Sequence, residues 1–355
     1  MTASPVRVTH RDIAKKFGCS GATVSLALSG HPRIREAVRR QIRELAEQMG
    51  YRPDPALALL AHNRFAARPA KSLATLSYLV NSREPDPERR GLQSRYFAAA
   101  RRRAEERGYQ LRRFDLAMCS SGAQASRVLY HRGVQGLIIP EMARSAEPLL
   151  RDFAWEQFAV VCCMLGWLNT PFHVVRKDIF NDTRLLWREA VARGYRRIGG
   201  ALFQHEPIAE DDYSRYGAAV AEQRLLIPQR QRVPLLLCSP QAEAAFLAWM
   251  RRFQPDAVLA FCEAPYRWLL KAGYKVPGDV AFAMSFVDPG VPQSGISALS
   301  DELGHASVDH LIAQIHQNQR GIPTIQQSIS LEPKWVEGAT LPRTNAAARR
   351  VVGAD

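Results

Sequence analysis

Residues 9–28 read THRDIAKKFGCSGATVSLAL, and their spacing predicts two short helices joined by a tight turn. Thr9 with Asp12 three residues on is a carboxylate form of the capping box, and Ile13, Ala14 and Phe17 then recur on one helical face. Gly18 ends that helix, because the left-handed backbone region is cheap for glycine. Gly18-Cys19 turns the chain, and Ser20 caps a second helix over 21–28. Val24 and Leu28, four residues apart, face the first helix, while Gly21, Ala22, Ser25 and Leu26 face outward. Such a unit is either a plain αα-hairpin or a helix-turn-helix whose second helix reads the major groove of DNA. The rest of the chain has to separate the two.

Charge is the first discriminator. The chain has 355 residues, 46% hydrophobic, enough for two or three domains with large cores. Its net charge of +14 is uneven: residues 1–70 hold twelve Lys/Arg against five Asp/Glu, so half the excess sits in a fifth of the chain. That asymmetry fits a polyanionic partner, although Arg is also scattered through the remainder. The longest apolar run, 158–165, is far shorter than the roughly 20 residues that span a bilayer. No apolar signal-peptide core is present at the start, so a cytoplasmic protein without membrane contact is expected. Six cysteines without a C-x-x-C pair argue against disulfides and zinc. No nucleophile elbow, phosphate loop or dinucleotide fingerprint occurs, and the nine histidines lack metal-ligand spacing. The expectation is a protein that is not an enzyme, with no catalytic residue, metal or cofactor; His205-Glu206 and His305 stand alone.

Beyond the two helices, 29–32 reads as a loop, and a third helix over 36–49 carries Val38, Ile42, Leu45, Ala46 and Met49 on one face, stopped by Gly50. Asp54 and Pro55 then suit the cap and first position of a two-turn helix. Isolated helices below about 12 residues are marginal in water, so this one needs a partner. Leu57, Leu59 and Leu60 could supply it by pairing with a second copy, by wedging into DNA, or by resting on the following domain. Residues 64–71 are a basic connection.

From residue 73 the pattern changes. Strand-like runs fall at 73–80, 110–114, 136–140, 159–165, 173–175, 197–202, 234–237, 257–261 and 280–285. Helical stretches between them include 93–107, 124–131, 182–193, 215–222, 241–253 and 303–317. Alternation of this kind predicts parallel sheets with helices on both faces, and about 270 residues suffice for two lobes.

Together these features resemble the LacI/GalR family of bacterial transcriptional repressors. The residues that carry the resemblance are Val8-Thr9, Asp12-Ile13-Ala14, Gly18, Ser20, Thr23-Val24-Ser25, Ala27-Leu28, Gly30, Ile34, Arg39, Gly50-Tyr51-Arg52-Pro53 and Leu60. Residues 192–199, 256–260, 273–280 and 303–306 match landmarks of the family's effector domain in the correct order. The resemblance implies an all-α helix-turn-helix headpiece over 1–52, a hinge helix and linker over 53–71, a two-lobed α/β body over 72–342 with the fold of periplasmic binding proteins, and a tail over 343–355. It implies DNA contacts from Thr9, Ser20, Gly21, Ala22, Thr23, Ser25, Leu26, Arg33, Tyr51 and Leu57, with Leu60 as the minor-groove wedge. Three departures from the family stand out: Leu26 stands for Arg, Asp54 for Asn, and Leu57-Ala58-Leu59 for Ala-Arg-Ser. Leu26 cannot make a bidentate contact to guanine, and contact with a thymine methyl is its substitute.

For the body, the resemblance implies a small-molecule effector between the lobes, held by Asp178, Arg215, Glu263 and Asp288. Arg donors and carboxylate acceptors suit vicinal hydroxyls, so a carbohydrate is favoured over a purine. The pocket has nevertheless diverged, with Cys262-Glu263 for the family's Asn-Asp, residues 284–288 for its Gly-Phe-Asp-Asp, and Ala298 for Gln. The expected function is a homodimeric, operator-binding repressor under effector control. The alternatives are a sugar-binding protein or an α/β enzyme without a DNA role.

Overall fold

The computed structural model describes residues 8–28, 34–51, 74–82, 87–140, 150–164, 170–205, 208–239, 242–288 and 290–344, apart from the side chains of 87–90, 92 and 238. Three helices form the headpiece: α1 (His10–Phe17), α2 (Gly21–Leu28) and α3 (Glu36–Gln48). Ile13, Ala14, Val24, Ala27, Ile42 and Ala46 are its buried centre. The second core residue of α2 is therefore Ala27, with Leu28 only partly covered. A small side chain lets the three short helices approach closely. The expected hinge helix, with Leu57 and Leu60, lies outside the described residues, as does Arg33.

The body consists of two six-stranded sheets. Its strands are β1 (Ala74–Val80), β2 (Tyr109–Asp115), β3 (Val134–Pro140), β4 (Ala159–Cys163), β5 (His173–Lys177), β6 (Ile198–Phe203), β7 (Leu236–Cys238), β8 (Ala257–Ala260), β9 (Ala281–Val287), β10 (Ser294–Ser297), β11 (Ser328–Leu331) and β12 (Trp335–Val336). Its described helices are α4 (Pro87–Glu106), α5 (Gly122–His131), α6 (Ile179–Ala192), α7 (Glu210–Leu226), α8 (Glu243–Phe253), α9 (Ala264–Lys271) and α10 (Ser300–His316). The first sheet has the order β11-β5-β4-β3-β1-β2 and the second β12-β10-β9-β8-β6-β7. The described pairings are parallel except β10 with β12.

Successive side chains of a strand point to opposite faces, and here both faces are buried. In the first sheet Leu76, Tyr78, Ile138, Val161 and Val175 meet α4 and α10, whereas Leu79, Leu137, Ile139, Val160 and Val174 meet the layer that includes α5. In the second, Ile198, Leu202, Leu259 and Ala283 pack with α6 and α7, and Val258, Ala260 and Phe282 with α8 and α9. Strands buried on both faces lack the polar alternation of a half-exposed strand, which is why they read as short apolar runs.

The chain crosses between lobes three times. Lys177 ends β5 in the first lobe, and Asp178 caps α6 in the second. Leu299 and α10 then return to the core of the first lobe, where β11 completes the sheet at its β5 edge, and the chain crosses again to β12. The crossings are bonded to each other, Asp178 N donating to Leu331 O at 3.0 Å and Ser297 N to Lys334 O at 2.8 Å. Helix α10 fits against α4 because Gly304 has no side chain: a Cβ there would lie 2.7 Å from Ala100 N and 3.0 Å from Tyr96 O.

Candidate nucleic-acid interface and effector cleft

Each turn of the headpiece follows from local chemistry. Asp12 accepts from Thr9 N at 2.8 Å and from the Thr9 hydroxyl at 2.6 Å, and its own N–H donates to Thr9 Oγ1 at 3.4 Å. These bonds from Thr9 hold the Asp12 carboxyl below its ordinary range. Gly18, at φ 79°, lets both its own N–H and that of Cys19 reach Ala14 O, at 2.9 and 3.0 Å, which closes the end of α1. Ser20 Oγ then accepts from Thr23 N at 3.1 Å and lies 2.8 Å from Thr23 Oγ1, so both hydroxyls are tied up in starting α2.

With Val24 and Ala27 buried, the surface of α2 carries Ala22 and Ser25 exposed and Gly21, Thr23 and Leu26 partly exposed. A Cβ on Gly21 would meet nothing within 4 Å. The first turn contains no acidic residue, so the positive pole of this helix is left uncompensated, as suits a phosphate-lined groove. Ser25 is the one exposed hydrogen-bonding side chain of the helix, Thr23 being half-covered, and direct base readout from this face is sparse. Tyr51, where the chain leaves α3, is fixed by its N–H to Ala46 O at 2.9 Å and by its hydroxyl, 2.7 Å from His10 Nε2. His10 was not singled out from the sequence, because a lone histidine beside a capping threonine gives no signal of a partner 41 residues away.

The second site lies where the carboxyl ends of β5 and β9 meet. Three aromatic rings of the second lobe gather there, all partly exposed: Phe203 stacks on Phe261 at 5.8 Å, and Phe286 meets the edge of Phe261 at 5.1 Å. Of the residues expected to hold an effector, Arg215 is 1% exposed, its guanidinium centred 3.8 Å from the middle of the Phe261 ring and paired with Asp212. Asp212 also accepts from Ala209 N at 2.7 Å, from His205 N at 3.1 Å and from His205 Nδ1 at 3.0 Å. Burial opposes its ionisation, but the His205 and Ala209 bonds, with the charge of Arg215, bring its carboxyl down to about 2.

Asp288 forms an ion pair with Arg95 of α4 at 3.1 Å, joining the second lobe to the first. Glu263 begins α9 and pairs loosely with Arg267 and Gln293, each at 3.4 Å. Asp178 accepts from Asn181 N at 3.0 Å and Asn181 Nδ2 at 2.9 Å as the cap of α6, a structural duty at the first crossing. The gathering of the three rings and the part played by Arg95 are not marked in the sequence, since they depend on which strand ends and lobes become neighbours; Asp212, three residues before Arg215 in the first turn of α7, is a local signal that sequence reasoning missed.

The chain thus joins a headpiece of three helices, with a bare face on the second, to a two-lobed α/β body. Residues 9–54 match the family model described as bacterial regulatory proteins, lacI family. Nothing among curated protein sequences matches the chain. The body shares its fold with solved regulators. A complex of the transcriptional regulator CelR with cellobiose aligns with a TM-score of 0.57 at 17% identity, over 94% of this chain and 100% of that one. The lac repressor dimer bound to operator and the anti-inducer ONPF gives 0.54 at 19%, over 95% and 99%. A LacI-family regulator from Enterococcus faecium with bound ribose gives 0.54 at 17%, over 76% and 100%. Among the described residues no helix is long and apolar enough to cross a membrane.

Proposed function

We propose that the protein is a homodimeric repressor that binds operator DNA through α2 and alters its hold on DNA when a small carbohydrate occupies the cleft between the lobes. The observation that carries this reading is the joining, in one chain, of a lacI-family headpiece to a cleft whose two sides are connected by three crossings. Residues Thr9, Ser20, Gly21, Ala22, Thr23, Ser25, Leu26 and Tyr51 supply the DNA-facing surface. Arg33 contributes a phosphate contact and Leu57 and Leu60 the hinge, all three outside the described residues. Two-fold symmetry would place a second headpiece on the other half of a pseudo-palindromic site. Such a protein works in the cytoplasm on the nucleoid and needs no catalytic group.

Aromatic faces, with Arg215 against one of them, suit the apolar faces of a sugar ring, and the carboxylates of Glu263, Asp288 and Asp178 suit its hydroxyl edges. The cellobiose and ribose held by two regulators of the same fold support that chemistry. A ligand can shift the lobes only by binding one arrangement better than the other. The test has two arms. Duplexes enriched from a random library on the full-length protein should share a pseudo-palindrome and bind more weakly as salt rises. In a thermal-shift panel including cellobiose and ribose, a binding sugar should raise the midpoint and change the affinity for that duplex. Failure to enrich any sequence would overturn the DNA reading. A flat panel, with DNA binding intact, would overturn the carbohydrate alone.

A further inference from the structure

The first crossing contains a lysine that neither DNA binding nor the expected effector contacts use. Lys177, the last residue of β5, is completely buried. Its ammonium donates to Ser285 O on β9 at 2.7 Å, lies 2.9 Å from Asp182 Oδ2 on α6, and sits 4.1 Å from the centre of the Phe286 ring. Asp182 is equally buried, and among the described residues its carboxylate has no partner but this ammonium. Burial lowers the pKa of Lys177 and pushes that of Asp182 up to about 6, so the ionised pair is held together against its surroundings by mutual attraction.

A buried ion pair seldom adds net stability over apolar side chains of the same volume. What this one supplies is direction. An ammonium has three donors, and here a carbonyl, a carboxylate and an aromatic face occupy three sides of it. The carbonyl belongs to β9, the carboxylate to the first turn of α6 just past the crossing, and the ring to the residue after Ser285. Phe286 packs against the core of the first lobe and meets the edge of Phe261 in the second. The ring cannot turn without changing a contact of the ammonium, and the crossing cannot bend without drawing the ammonium off the ring.

Resting on the effector reading above, we propose that Lys177 is a positioning residue of the response: it ties the attitude of Phe286 to the geometry of the first crossing, so that a ligand moving the ring moves the hinge. Asp182 keeps the ammonium in place, and neither residue touches the ligand.

The test needs no ligand. Amide hydrogen exchange is measured on the full chain for wild type, Phe286→Leu, the paired replacement Lys177→Met with Asp182→Leu, and all three changes together. The amides of Asp178 and Asp182 are the reporters, bonded to Leu331 O at 3.0 Å and Asp178 O at 2.7 Å. Phe286→Leu should speed their exchange by about tenfold, as expected for loss of a desolvated cation–ring contact, with the amides of β1 and β6 unchanged. The paired replacement removes the charges as a unit and keeps the volume, so the protein should still fold; in that background Phe286→Leu should add no further effect at the reporters. Additive acceleration, no acceleration, or acceleration spread evenly through β6 and β8 would overturn the proposal. A negative sugar panel with non-additive exchange would instead leave the coupling standing and refute the carbohydrate as the effector.

Discussion

Replacing Arg215 with Met tests the cleft most directly, because the methionine refills the space of the stem while deleting its charge. Removing one member of a buried ion pair costs about 3–5 kcal/mol when the other is left uncompensated. Asp212 would keep donors at 2.7, 3.0 and 3.1 Å from Ala209 and His205, which brings the loss to roughly 2–3 kcal/mol. The contact with Phe261, centred at 3.8 Å, adds about 1 kcal/mol more. For a body of this size roughly 3–4 kcal/mol corresponds to a fall of about 8–12 °C in the midpoint of thermal unfolding. Circular dichroism against temperature measures that fall. Fluorescence anisotropy on a selected duplex should show affinity within about threefold of wild type without ligand, since α2 is untouched, and no change on adding the sugar that shifts wild type. A midpoint within about 2 °C of wild type would refute the pairing energetics. A normal sugar response in the same variant would remove Arg215 from the site.

Three further outcomes follow from single contacts. Asp212→Asn should cost about 2 kcal/mol at neutral pH after allowance for solvent screening. Because the folded carboxyl is depressed to about 2, that contribution is complete above an ordinary Asp pKa near 4 and vanishes as pH falls through 2, so urea titrations of the two proteins should converge over that window. Gly304→Ala forces a Cβ within 2.7 Å of Ala100 N and should destabilise by roughly 1–3 kcal/mol; an unchanged urea midpoint would show that α4 and α10 can separate freely. Gly21→Ala has open space around it and should stabilise the headpiece by about 0.5–1 kcal/mol while altering the selected DNA sequence; loss of folding would contradict the placement of α2.

The headpiece was legible because its determinants are local. Thr9 and Asp12, Gly18, and Ser20 with Thr23 each act within four residues, and the structure shows every one of those caps or turns. One omission is instructive: spacing picked out Val24 and Leu28, and Leu28 does pack against this core, but it is Ala27 that is wholly enclosed, since the distance between helix axes is not written in periodicity. In the body, strands β1 to β9 fell within a few residues of their apolar runs. Strands β10, β11 and β12 did not announce themselves: Ser294–Ser297 has a single large apolar residue, Ser328–Leu331 alternates serine with apolar residues over only four positions, and Trp335–Val336 is two residues long. The resemblance pointed to Arg215 and Asp288; Asp212 lies three residues before Arg215 on α7 and was within reach of a local reading, whereas Arg95 meets Asp288 only through the apposition of the lobes, which no short window of sequence contains.

The return of the chain to its first lobe has a consequence for synthesis. Residues 74–177 emerge from the ribosome long before Leu299, Leu303, Val308, Leu311 and Ile312, which cover one face of the first sheet, and before β11, which pairs with β5. Until then that lobe exposes an apolar face and an unpaired parallel edge, the combination most prone to association with other chains. The second lobe, by contrast, has most of its elements in one stretch, from α6 to β10. The nascent protein therefore has most of its later lobe in hand before its earlier lobe can close, lacking of that later sheet only the short edge strand β12, so the earlier lobe is the part for which a chaperone matters.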